Sequence, residues 1–126
     1  VEDDLKTFKL CFCSFCQKAS GSAHVSNGFA LPEQIEWTRG EDDLRVFDVH
    51  NSFVRRVFCS TCGTSLPFIT QNGSFVVVPV GSLSRPPKMT PQKIASFESR
   101  PAWYDAAMTL VAAELHTETT GHEGTQ

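Results

Sequence analysis

The chain has 126 residues, enough for one ordinary domain and too few for two independent cores. Forty per cent of the residues are apolar, which supports a compact interior, and 11 Lys and Arg against 14 Asp and Glu leave a formal net charge of −3. With a pI near 5.7 and no block of basic residues, a nucleic-acid surface is not expected. No apolar run approaches the ~20 residues of a membrane span, and the acidic start Val1-Glu2-Asp3-Asp4 is unlike a signal peptide, so a cytoplasmic protein is expected.

In chain order, a strand is expected to run into the knuckle Cys11-Phe12-Cys13-Ser14-Phe15-Cys16. Ser26-Asn27-Gly28 then reads as a turn before a short strand at Phe29-Ala30-Leu31, and the polar stretch from Thr38 to Asp43 as another before a strand from Leu44 to Val49. Further strands are expected over Val54 to Phe58, Leu66 to Thr70 and Phe75 to Val78, the last two joined as a hairpin through Asn72-Gly73. Pro79 has no amide hydrogen, so the Val run should end there or lie at a sheet edge. Ser82 to Thr90 reads as an extended loop. One helix is expected from an N-cap at Ser99, with Trp103, Ala106, Ala107, Leu110 and Val111 at helical spacing, covering the sheet. Residues 1–115 then form a single domain, and residues 116–126 a disordered tail. Trp37, Phe47, Phe58, Phe68 and Phe75 are expected in the core.

Five cysteines in a chain without secretory features point to metal ligation more than to disulfides. Residues two apart on an extended segment face the same way, so Cys11 and Cys13 converge, and the turn at Ser14-Phe15 brings Cys16 beside them. A second knuckle, Cys59-Ser60-Thr61-Cys62-Gly63, has zinc-ribbon spacing, with Gly63 supplying an unusual backbone angle. Spacing permits two arrangements. In one, Cys13, Cys16, Cys59 and Cys62 close a single structural site; in the other, Cys11, Cys13 and Cys16 hold one metal with an open position, and Cys59 with Cys62 belongs to a second site. Zn²⁺ on three thiolates carries one net negative charge, so an open site suits holding a thiol as thiolate, with a small aldehyde as its electrophile. A redox Cys-x-x-Cys is disfavoured, since neither knuckle reads as a strand leading into a helix. His24, His50, His116 and His122 are expected at the surface or in packing, and Arg55, Arg56 and Lys18 as solvated cations, although the arginines could meet a carboxylate.

The order of the motifs carries a resemblance. Cys-x-Cys-Ser-x-Cys-x-Lys-x-x-Gly from Cys11 to Gly21, Trp37-x-Arg39-Gly40, Arg56-x-Phe58-Cys59-Ser60-x-Cys62-Gly63-Thr64-x-Leu66, Val80-Gly81-Ser82-Leu83 and the closing run Ser99 to Tyr104 together resemble the glutathione-dependent formaldehyde-activating family, which includes centromere-protein-V-type domains. That resemblance implies a mainly β fold of twisted antiparallel sheets, often called a β-tent, with zinc knuckles and the C-terminal helix. It also implies one or two Zn²⁺ ions. Cys11, Cys13 and Cys16 would bind the catalytic-type zinc, and Cys59 and Cys62 would give half of a structural site; Cys13, central among the first three, is the ligand expected to exchange with substrate thiol. The implied reaction is the condensation of formaldehyde with glutathione, formally carbon–sulfur lyase chemistry on small-molecule partners. Three positions depart from the family pattern. No Cys-x-Cys-Gly pair precedes Cys11, Phe12 replaces the usual His, and Lys93 stands where a His commonly precedes the closing run.

Overall fold

The computed structural model describes residues 5–51 and 54–118. Seven strands and two helices are present among them: β1 (Thr7–Cys11), α1 (Ser14–Ser20), β2 (Val25–Ala30), β3 (Leu44–Asp48), β4 (Arg55–Cys59), β5 (Phe68–Ile69), β6 (Val76–Pro79), β7 (Lys93–Ala95) and α2 (Ala102–Glu118). Five strands form one sheet in the order β5-β6-β2-β1-β7, and β3 and β4 form a separate antiparallel ribbon. The mainly β reading therefore holds, with two qualifications: β7 runs parallel to β1, and a second, short helix follows the first knuckle.

The cross-strand register explains the core. Phe8 stands opposite Gly28, which stands opposite Val78, and Ala30 stands opposite Val76. Alternation along each strand puts these on one face. Leu5, Phe8, Ala30, Val76 and Val78 are buried there, with Leu10, Ile35, Val80, Leu83 and Met89 packed against them. Ser26-Asn27-Gly28, expected as a turn, lies inside β2. Gly28 is there for space: a Cβ at this position would collide with the Leu5 side chain. Turn-type residues were thus selected for close approach and not for chain reversal.

The hairpin expectation holds. β5 pairs antiparallel with β6 across the Gln71-to-Ser74 loop, and β6 ends at Pro79, although it lies inside the sheet and not at its edge. The ribbon faces the sheet across a groove of about 160 Å³ lined by Trp37, Leu44, Val57 and Phe68 among others. Of the aromatic residues expected in the core, Trp37 and Phe68 are half-buried, but Phe47, Phe58 and Phe75 are exposed, Phe47 by 59%. Phe47 and Phe58 sit on the ribbon face turned away from the groove, because they alternate with Val46 and Val57, which line it.

The C-terminal helix also departs from expectation. A short 3₁₀ turn occupies Phe97–Ser99, so α2 begins at Ala102 and not directly after a Ser99 cap, and it continues to Glu118, past the expected end at Leu115. The rest of the expected tail lies outside the described residues. The helix does not cover the sheet. Among its described side chains only Tyr104 and Ala107 are half-buried, while Trp103, Met108, Leu110, Val111 and Leu115 are exposed. Apolar residues are spread around this helix, so it presents no single face for docking. No helix among the described residues is long and apolar enough to cross a membrane.

Candidate metal centre

The first knuckle is built where β1 turns into α1. Cys11 is the last residue of β1, paired with Val25 on one side and Ala95 on the other, so its backbone is held from both flanks. Cys13 is the N-cap of α1: its backbone is extended (φ −65°, ψ 157°) and its Sγ accepts the Cys16 amide at 3.3 Å. Cys16 lies in the first turn of that helix. The three sulfurs lie within 4.8 Å of one another, all half-buried, and no other His, Cys, Asp or Glu among the described residues joins the group. The expected turn at Ser14-Phe15 is thus the start of a helix. This corrects one sequence expectation, because the Cys13-x-x-Cys16 pair does occupy a strand-to-helix setting.

Phe12 anchors the assembly. It is fully buried, its amide donates to the Ala95 carbonyl at 2.9 Å, and its ring packs at 4.8 Å from His24, 5.1 Å from Phe97 and 5.0 Å from Tyr104. A hydrocarbon ring in this setting has no polar group to satisfy, so aromatic packing does the holding. Gln17 adds a second tie that no local motif signals: its side-chain amide donates to the carbonyls of Phe12 and Ser99, each at 2.8 Å. Ser96, in the left-handed region at φ 57°, swings the chain out of β7 so that Phe97 can reach Phe12. Arg100 then fastens the start of α2. Its guanidinium binds Asp105 through two hydrogen bonds, 2.9 and 3.3 Å, donates to the Phe97 carbonyl at 3.0 Å, and stacks over the Phe97 ring at 4.2 Å. The run from Ser99 to Tyr104 is therefore fastened to Phe12 and Gln17 beside the thiol cluster, while Ser99, Ala102 and Trp103 are exposed.

The three thiols differ electrostatically. Burial raises the Cys13 thiol, but the Cys16 amide and the Cys16 and Cys11 thiols more than offset this and hold it below its ordinary value. Burial pushes the Cys16 thiol well above the ordinary range, and the neighbouring Cys11 and Cys13 add to the shift. Sulfurs this close cannot all ionise without a cation among them.

The second knuckle stands apart. Cys59 ends β4, its Sγ accepts the Thr61 amide at 3.4 Å, and its carbonyl accepts the Gly63 amide at 2.7 Å, with Gly63 at φ 78° as expected for this turn. Cys62 is exposed, 3.0 Å from the Thr64 hydroxyl, and that contact holds its thiol below the ordinary value. Cys59 and Cys62 join no three-residue cluster among the described residues, so the single site of Cys13, Cys16, Cys59 and Cys62 is not assembled.

Residues 1–100 match the family model described as the glutathione-dependent formaldehyde-activating enzyme. The chain belongs to this family. Both knuckles lie within the matched residues, and the Cys11, Cys13 and Cys16 cluster is a possible metal site. A Rhodobacter sphaeroides protein of known crystal structure shares the fold, with a TM-score of 0.54 at 17% identity over 74% of this chain and 89% of the other. No curated protein matches the sequence.

The other sequence candidates fall into place. His24 is a packing residue against Phe12, His50 and His116 are exposed, and His122 lies outside the described residues. Lys18 and Lys93 are exposed. Arg55 is bound to Asp48 at 2.6 and 3.3 Å, and its neighbour Arg56 stacks over Phe15 at 4.8 Å, so the two arginines are not an equivalent solvated pair.

Proposed function

We propose that this chain is a zinc-dependent enzyme that adds a thiol to formaldehyde or another small aldehyde, with glutathione as the thiol and S-hydroxymethylglutathione as the product. The observation that carries the reading is the set of three soft donors, Cys11, Cys13 and Cys16, within 4.8 Å and without a fourth described ligand. Tetrahedral zinc with ~2.3 Å bonds needs sulfurs ~3.8 Å apart, so this donor set fits the ion after a small contraction. Zn²⁺ bound there would supply the means of keeping a fourth, incoming thiol ionised at neutral pH.

In this reading the protein orients and the substrates react. The thiolate sulfur attacks the aldehyde carbon, forming the carbon–sulfur bond. The carbon–oxygen π pair moves to oxygen, which regains the proton lost by the thiol. Cys11, Cys13 and Cys16 would hold the ion with the fourth position left to the substrate thiol, and Cys13, whose sulfur also accepts the Cys16 amide, would be the ligand best able to exchange with it. Phe12 and Gln17 hold the strand-to-helix junction, and with it the three sulfurs, in place.

The test is the rate of hydroxymethyl product formation with zinc-loaded protein, compared with the spontaneous rate and with Cys13→Ser. Full zinc content with no acceleration would refute the proposal. A second reading, a non-catalytic zinc module that scaffolds a partner, is favoured by the exposed Phe47 and Phe58 on the outer face of the ribbon. It predicts the same metal content and no turnover.

A further inference from the structure

The two adjacent arginines of β4 project to opposite faces of the ribbon, as alternation requires. Arg55 has found its acceptor in Asp48. Arg56 has none among the described residues: its Nε is shielded from water and makes no hydrogen bond, and its guanidinium carbon rests 4.8 Å above the ring of Phe15. A guanidinium donor withdrawn from water and left without an acceptor is unfavourable, and such a group calls for a reason. Phe15 lies on the first turn of α1, between Cys13 and Cys16 in sequence, so the aromatic stack attaches this arginine, with its unpartnered Nε, to the helix that carries two of the three thiols.

We propose that Arg56 is the specificity residue of the thiol site and receives a carboxylate of the incoming thiol while its sulfur enters the Cys11, Cys13 and Cys16 cluster. This rests on the functional reading above. The planar fork of Arg matches a carboxylate with paired hydrogen bonds, and Phe15 fixes the plane of the fork before the ligand arrives. Charge balance points the same way. A tris-thiolate zinc site is already anionic, and a further thiolate adds negative charge, so a nearby cation offsets what the ligand brings. The ligand class is therefore a thiol that bears a carboxylate several bonds from its sulfur, such as a peptide thiol, in preference to a neutral thiol of similar size.

The experiment is calorimetric titration of zinc-loaded protein with glutathione and, separately, with glutathione diethyl ester, which keeps the sulfur and masks the carboxylates. Wild-type protein should bind glutathione at least about tenfold more tightly than the diester. Arg56→Met, which keeps an apolar contact on Phe15, should remove that ratio while leaving diester affinity unchanged. Arg56→Lys keeps a charge without the fork and should narrow the ratio without closing it, which also covers a Met variant that fails to fold. Equal affinity for the two ligands in wild-type protein overturns this inference alone. So does an Arg56→Met variant that loses both ligands alike, the mark of a purely structural residue, or an Arg56→Lys variant with an unchanged ratio. Binding of neither ligand overturns the thiol site itself, and this inference with it.

Discussion

The ring of Phe12 stands edge-on to that of Tyr104, with centroids 5.0 Å apart and planes inclined at 78°. Through this contact the knuckle near the amino end and the first turn of α2 become one packed unit. Phe12→Ala removes a fully buried ring that also touches His24 and Phe97, and should lower unfolding stability by about 3–5 kcal/mol. Denaturant titration of wild-type and variant proteins measures the difference.

Ligand substitutions should separate the two knuckles. Cys11→Ser, Cys13→Ser and Cys16→Ser each remove one sulfur from the three-thiol cluster, and each should lower bound zinc by about one equivalent. Cys59→Ser should leave that equivalent in place, since Cys59 stands outside the cluster. Element-resolved metal analysis of the purified variants decides this, and loss of all zinc on replacing Cys59 would contradict separate sites.

Zinc affinity should rise with pH. Burial and the neighbouring thiols hold the Cys16 thiol above its ordinary value, so the metal-free protein keeps that proton at neutral pH and must release it on loading. Competition with a chromophoric chelator between about pH 6 and 8 should show tighter binding at the upper end, with proton release detectable in weak buffer.

Gly28→Ala tests the reason for a turn-type residue inside β2. The added methyl meets the buried Leu5 side chain, and forcing Leu5 aside should destabilise the protein by about 1–3 kcal/mol. A thermal melt that is unchanged, or higher, would show that Leu5 repacks freely.

The Arg100–Asp105 pair gives a pH signature of its own. The Arg100 hydrogen bond holds the Asp105 carboxyl below its ordinary value, with exposure to solvent limiting the effect. Its contribution to stability is therefore present above the usual carboxylate range and lost as the pH falls through the lowered value. Helical circular dichroism should decline on acidification below about pH 4 in wild-type protein and change less in Asp105→Asn, which has no carboxylate to protonate.

The strand pattern was legible where short runs of β-branched and aromatic residues lay between turn signals, as at Leu44–Asp48, Arg55–Cys59 and Val76–Pro79. The sulfur cluster was legible as one of the two arrangements that spacing permitted, and the structure brings Cys11, Cys13 and Cys16 together without Cys59 or Cys62. What escaped was the business of neighbours distant in sequence. Ser26-Asn27-Gly28 looks like a turn until Leu5 is known to lie against Gly28. Phe47 and Phe58 look like core until the ribbon's groove face is known to belong to Val46 and Val57. Gln17 has no local signature at all, since its two acceptors are the carbonyls of Phe12 and of Ser99, 82 positions away. The short helix at Ser14–Ser20 was concealed because its cap is a cysteine, a residue usually read for its reactivity.

The strand that carries Cys11 is completed on one side by β2, close in sequence, and on the other by β7, whose Lys93 stands beside Lys9. During synthesis the sulfurs of Cys11, Cys13 and Cys16 leave the ribosome together, long before Lys93–Ala95 follows. An ion captured at that early stage would pin the nascent junction of strand and helix, and the last strand would then dock onto a template already set.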